Sequence, residues 1–161
     1  MSHAAAPLLF VVLSLLAGCS SLSPYSKLTK LELALTASEQ VNPDLHGRPS
    51  PIVLRLIELR HPVAFENADF FSLYGRAEHT LPKDLVNSEE LELRPGEQVI
   101  LKLSLEPHSR YVGLLAAYRD LPHTQWRYLL PVAHRQVNQA ELVLDQEGIR
   151  PANALHGKVD D

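Results

Sequence analysis

The chain has 161 residues, with 15 Lys and Arg against 19 Asp and Glu for a net charge of −4. Charges of both signs are interspersed, which excludes the basic footprint that nucleic-acid binding demands, and the length suits one domain that buries its core without staples. The single cysteine excludes an intrachain disulfide, so the fold has to be held by packing.

Residues 8–16 read LLFVVLSLL. A spanning helix needs roughly 20 apolar residues and a secretory signal core only about 7–15, so this run targets the chain and does not cross a membrane. Leu16, Ala17, Gly18 and Cys19 follow and resemble the lipobox of bacterial lipoproteins. That resemblance implies diacylglyceration of the Cys19 thiol, cleavage before it, and acylation of the new amino terminus, which makes residues 1–18 a signal peptide. The segment MSHAAAP departs from the pattern in having no Lys or Arg. Ser20 in place of Asp after the cysteine implies sorting to the outer membrane. Three acyl chains, at about 0.8 kcal/mol per buried methylene, make attachment effectively permanent. The competing reading is a buried free thiol. Residues 19–27 form the lipidated terminus and a polar tether, in which SSLSPYSK spans at most roughly 28 Å.

A β-sandwich is expected over residues 28–150. LTKLELALT alternates, with Leu31, Leu33 and Leu35 on one side, and VILKLSL does the same with Val99, Leu101, Leu103 and Leu105. IVLRLIEL (52–59) and YVGLLAAY (111–118) are apolar on both faces, as central strands covered twice would be. SEELEL (88–93), WRYLLPV (126–132) and AELVL (140–144) complete about seven strands. Arg94-Pro95-Gly96-Glu97 joins two of them as a turn, since proline presets φ and glycine accepts φ > 0. Between the second and third strands, AFENADFFSLYGRAE spaces Phe65, Ala68, Phe70 or Phe71 and Leu73 as a helix, capped by Asn67 and ending at Gly75. Pro82 marks a second short helical turn. From Arg150 the apolar period is lost, and residues 151–161 are expected as a flexible tail.

No metal or cofactor is expected. The eight histidines include no H-x-H or H-x-x-x-H pair, and no second cysteine is present. No G-x-S-x-G elbow, phosphate loop or dinucleotide fingerprint occurs, so no catalytic residues are assigned and the chain is not expected to be an enzyme. Glu89 and Glu90 are strand neighbours whose carboxylates diverge. Tyr111, Tyr118, Trp126 and Tyr128 read as packing residues, and Arg119 with Asp120 as a local ion pair.

The segment Ala37–Ser50 between the first two strands is too long for a tight hairpin, and loops beyond about 12 residues are usually functional or disordered. Pro43, Gly47, Pro49 and Pro51 restrict its backbone. Val41 and Leu45 beside Asn42, Asp44 and Arg48 suit either a small interface or a lid whose apolar side chains cover the sandwich end.

Taken together, the lipobox, the TAS…VNPD…GRPSPIVLRLIEL stretch, ADFFSLY, ELELRPGE and the YVGLLAAYRDL…WRYLLPV block resemble the TssJ family (SciN, VasD), outer-membrane lipoproteins of the type VI secretion system. The resemblance implies a transthyretin-like β-sandwich of about seven to eight strands, with one or two short helices, facing the periplasm. It implies docking of the trans-envelope complex through the periplasmic C-terminal region of TssM, with TssL in the same complex. In the family the first interstrand loop contributes to that contact, which points to Val41, Asn42, Pro43, Asp44 and Leu45. The competing function is a periplasmic lipoprotein that binds a small ligand or inhibits an envelope enzyme; a large apolar pocket would favour it over a filled core with a projecting loop.

Overall fold

A computed structural model describes residues 28–153. The expected signal peptide, Cys19, the tether and residues 154–161 lie outside the described residues. Among those described, no helix is long and apolar enough to cross a membrane.

Eight strands form two four-stranded sheets. In the first, β4 (Gln98–Leu105), β1 (Thr29–Ala37), β7 (Val137–Leu144) and β8 (Ile149–Pro151) lie in that order; in the second, β3 (Leu85–Leu93), β2 (Ile52–Leu59), β5 (Tyr111–Ala116) and β6 (Arg127–Pro131). The expected sandwich is therefore present. β1 buries Leu31, Leu33 and Leu35 as its alternation requires, and antiparallel pairing sets them opposite Leu103, Leu101 and Val99 of β4. β1 and β7 run parallel.

The strands read as doubly covered are the two central strands of the second sheet. Ile52, Leu54 and Leu56 of β2 join the core between the sheets, while Ile57 and Leu59 face a second apolar cluster beneath the helices. β5 divides likewise, with Val112 and Leu114 inward and Leu115 outward. At about 25 cal/mol per Å² of apolar surface, these two interfaces supply the driving force that a disulfide-free domain needs.

The helical insertion lies between β2 and β3, as two helices and not one: α1 (Val63–Asn67) and α2 (Phe70–Thr80). Extended backbone at Ala68 separates them, and Asp69 is the cap, accepting from Ser72 N (3.0 Å) and Ser72 Oγ (2.6 Å). Asn67, expected to cap, instead donates to Val63 O at 2.8 Å from the last turn of α1. α2 continues past Gly75 with a kink at Arg76 (φ −144°), and Thr80 Oγ1 returns to Ser72 O and Arg76 O. The turn at Pro82 closes through Leu85 N to Leu81 O (2.9 Å), and β3 starts there, earlier than its apolar period suggested. Two further boundaries differ. β7 begins at Val137, in polar sequence, because its first residues pair with β1 while only every second one, Val137 and Gln139, faces solvent. β8 occupies the start of the expected tail, pairing Arg150 with Val143.

Candidate partner-binding site

Strand direction sorts the connections onto two ends. Thr29 pairs with Leu105, and Lys30 with Val137, so the chain enters β1 at the end where β4 stops and β7 starts. The β1–β2 loop, the Arg94–Glu97 turn, the β5–β6 connection and the β7–β8 turn gather at the opposite end.

The loop is built, not slack. Its neck closes through Ser50 N to Val41 O (3.2 Å), and its base is tied to the Arg94–Glu97 turn by Gly96 N to Ala37 O (3.0 Å). At the tip, Asp44 N donates to Arg48 O and Gly47 N to Asp44 O, both at 2.9 Å. Asp44 Oδ1 accepts from His46 N (2.8 Å) and Arg48 N (3.0 Å), and Oδ2 from Arg48 Nε (2.8 Å), a turn that Asp chemistry favours.

The five sequence candidates part company here. Val41 has no exposure and belongs to the core between the sheets, so it is a lid residue and not a surface contact. The signal that misled was its apolar character in a loop, which serves either role. Asn42 is also buried, at φ 48°: its Nδ2 donates to Pro51 O (2.9 Å) and its Oδ1 accepts from Arg119 N (2.8 Å). It clamps the loop neck to the β5–β6 connection. Pro43 and Asp44 are half-buried along a groove, and Leu45 stands fully exposed at the tip.

That groove, about 640 Å³ and open to solvent, lies between the loop and the β5–β6 connection, whose Arg119, Asp120 and His123 form the far wall. Arg119 and Asp120 were expected to pair with each other; Asp120 Oδ1 instead meets His123 Nδ1 at 2.8 Å, because the intervening 3-10 turn (Leu121–His123) brings the imidazole round. These wall residues carry no periodicity, and only the three-residue spacing of Asp120 and His123 hinted at their meeting. Gly148, at φ +131°, lets the β7–β8 turn touch Gln125, where a Cβ would come within 2.5 Å of backbone. Gln125 N to Glu147 O and Ile149 N to Gln125 O, both 2.8 Å, then fix the wall. Beneath it, the Tyr118 hydroxyl is buried without a partner in the described structure, and burial, then the Asp145 carboxylate, pushes its pKa up. Among the described residues no cluster of three metal-binding side chains occurs.

Two consequences are measurable. The Arg48 hydrogen bonds, backbone first and guanidinium second, hold the Asp44 carboxyl below 3.8 against a smaller opposing desolvation. A depressed native pKa means that the tip's stabilisation is complete above the ordinary value and lost as pH falls through the native one. The His46 and Arg48 amide resonances are therefore expected to titrate together below pH 3.8, and Arg48→Ala to move that midpoint upward. Asn42→Ala leaves Pro51 O and Arg119 N without their partner, an expected loss of about 1–3 kcal/mol by urea unfolding.

The family model for T6SS-SciN, the type VI secretion lipoproteins VasD, EvfM and TssJ, matches residues 29–147. The crystal structure of the type VI lipoprotein TssJ1 from Pseudomonas aeruginosa is 37% identical, covers 78% of this chain and 98% of its own, and superposes with a TM-score of 0.74. Serratia marcescens Lip, a membrane-bound component of the type VI secretion system, is 30% identical with a TM-score of 0.72, over 77% of this chain and 97% of its own. A chain from a structure described as the TssM C-terminal domain of EAEC shares the fold at 20% identity and a TM-score of 0.64, over 76% and 97%. No curated protein sequence matches. An eight-stranded sandwich with its helices between β2 and β3, matched across both sheets, makes this chain a member of the TssJ family of type VI secretion lipoproteins.

Proposed function

We propose that the protein holds the type VI trans-envelope complex at the outer membrane, lipid-anchored through Cys19 and facing the periplasm, by binding the periplasmic C-terminal region of TssM in a complex that includes TssL. The observation that carries this reading is one fully exposed leucine, Leu45, projecting on a hydrogen-bonded loop at the end opposite the start of β1, over a core of buried apolar side chains between the sheets. Apolar tip, half-buried Pro43 and Asp44, and the polar wall beyond them have the make-up of a small interface. The lipid turns a binary contact into a localised one, raising the partner's effective concentration at the membrane. Catalysis plays no part. An open groove between loops is a poorer small-molecule site than an enclosed apolar cavity, so ligand binding is the secondary reading.

Calorimetry of the unacylated domain against the cognate TssM region tests the proposal: saturable binding is expected, and a folded protein that shows none would leave the ligand reading. Cys19→Ser is expected to leave folding unchanged while releasing the protein from membranes. Retention of that variant through a high-salt wash would contradict the anchor.

A further inference from the structure

The end where the chain enters β1 has a charge that runs against the chain's net −4. Four connections meet there, β2–α1, α2–β3, β4–β5 and β6–β7, and each carries an exposed cation: Arg60, Lys83, Arg110 and Arg135. Hydrogen bonds knit them into one rim. Arg60 Nη1 donates to Lys83 O (3.2 Å), Arg110 N to Leu59 O (2.8 Å), Val132 N to Arg110 O (2.9 Å), and Arg135 N to Thr29 Oγ1 (2.9 Å). Among the described residues none of the four has an ion-pair partner, whereas Arg48, Arg55, Lys102 and Arg150 each hold a carboxylate. The carboxylates on these connections are only Asp84, half-buried, and Glu106. His134, in the same rim, is held below its ordinary pKa by desolvation and then by the charges of Arg110 and Arg135 beside it, a sign of how closely they crowd. Leu28, Val63 and Val137, at 44%, 64% and 62% exposure, set apolar side chains among the cations.

We propose that this rim is a second membrane contact, seating the sandwich on anionic phospholipid headgroups of the leaflet that holds the anchor. The inference rests on the reading of Cys19 as the lipidated residue. Residues 20–27 extend at most roughly 28 Å, so this end stays close to the headgroups. Cations held within a Debye length of an anionic surface, about 8 Å at physiological salt, still feel its field, and lose it as salt rises; each strengthens partitioning by about five-fold. The acyl chains already secure attachment, so the rim acts on orientation: it turns the Leu45 groove away from the bilayer, toward a partner arriving across the periplasm. Apolar side chains among cations suit the headgroup boundary.

The test uses unacylated chain, residues 20–161, which includes the whole sandwich, in sedimentation with vesicles of phosphatidylglycerol and phosphatidylcholine in equal parts or of phosphatidylcholine alone. Binding to the anionic vesicles is expected to be at least about ten-fold tighter at about 50 mM salt and to fall steeply by about 300 mM. The combined Arg60→Gln, Lys83→Gln, Arg110→Gln and Arg135→Gln variant should lose it, while Arg94→Gln, at the groove end, should keep it. Lys83→Gln with Arg135→Gln removes two side chains that make no hydrogen bond among the described residues, and should show a partial loss even if the fourfold variant unfolds. Equal binding to both vesicles, or binding indifferent to these substitutions, would overturn the proposal. So would salt-sensitive binding to polyglutamate without binding to anionic vesicles, which would make the rim a protein site. Vesicle binding alongside an unacylated Cys19 in cells would remove the anchor and leave the rim; acylation without vesicle binding would do the reverse.

Discussion

Phe65→Ala is expected to lower unfolding stability by about 3–5 kcal/mol, read as a reduced urea midpoint at unchanged slope. The ring is 1% exposed and is the anchor of the cluster between the helices and the second sheet. It lies flat against Gly113 of β5, where a Cβ would stand 2.7–3.0 Å from three ring atoms. Arg127 Nη1 locks the same helix by donating to Phe65 O (3.1 Å) and Ala68 O (2.7 Å), so the ring has little freedom to withdraw. Gly113→Ala should therefore cost about 1–3 kcal/mol from the opposite direction, by overpacking. Because the two residues share one contact, adding Phe65→Leu to Gly113→Ala should cost less than the two losses summed. Strict additivity would mean that α1 does not rest on β5. With total stabilities of about 5–15 kcal/mol, the alanine variant alone removes about a fifth of the margin at the least.

The same contact illustrates what sequence could and could not convey. YVGLLAAY declared a strand covered on both faces, because no strand exposed on one side tolerates Leu114 and Leu115 in succession. It did not say that Gly113 was small to admit a ring from 48 residues earlier, since that is a matter of tertiary approach. Alternation located β1 and β4, and turn chemistry located Gly96, observed at φ 78°. The helix boundaries failed because Asn67 and Asp69 are both competent caps, and only the Ser72 pairing decides between them. β8 failed because three residues ending in proline cannot display a period. At the groove, the loop was legible from its length and its prolines, whereas its far wall was not. Arg119, Asp120 and His123 come into place through the Asn42 clamp and the Gln125–Gly148 bridge, contacts that join segments distant in sequence.

Val41→Asp and Leu45→Asp, four residues apart, are expected to fail in opposite ways. Val41 is wholly enclosed among apolar side chains between the sheets, so a carboxylate there is cut off from water, and a loss of more than about 4 kcal/mol is expected. Any loss of TssM binding by that variant would follow from unfolding and would say nothing about the interface. Leu45 has no neighbours to lose, and its substitution should leave thermal unfolding within about 0.5 kcal/mol of wild type. If the tip is the apolar anchor of the contact, Leu45→Asp should nonetheless weaken TssM binding by about 2 kcal/mol, roughly thirty-fold, because it places a charge where the partner desolvates the loop. The Asp44 hydrogen bonds from His46 N and Arg48 N hold the tip's backbone independently of the residue at 45, so the shape presented to the partner stays the same. Full affinity with Leu45→Asp, in a protein that melts normally, would move the interface off the tip to the groove's far wall. Arg119→Glu would then be the substitution to measure, since its side chain is exposed there while its backbone stays fixed by Asn42.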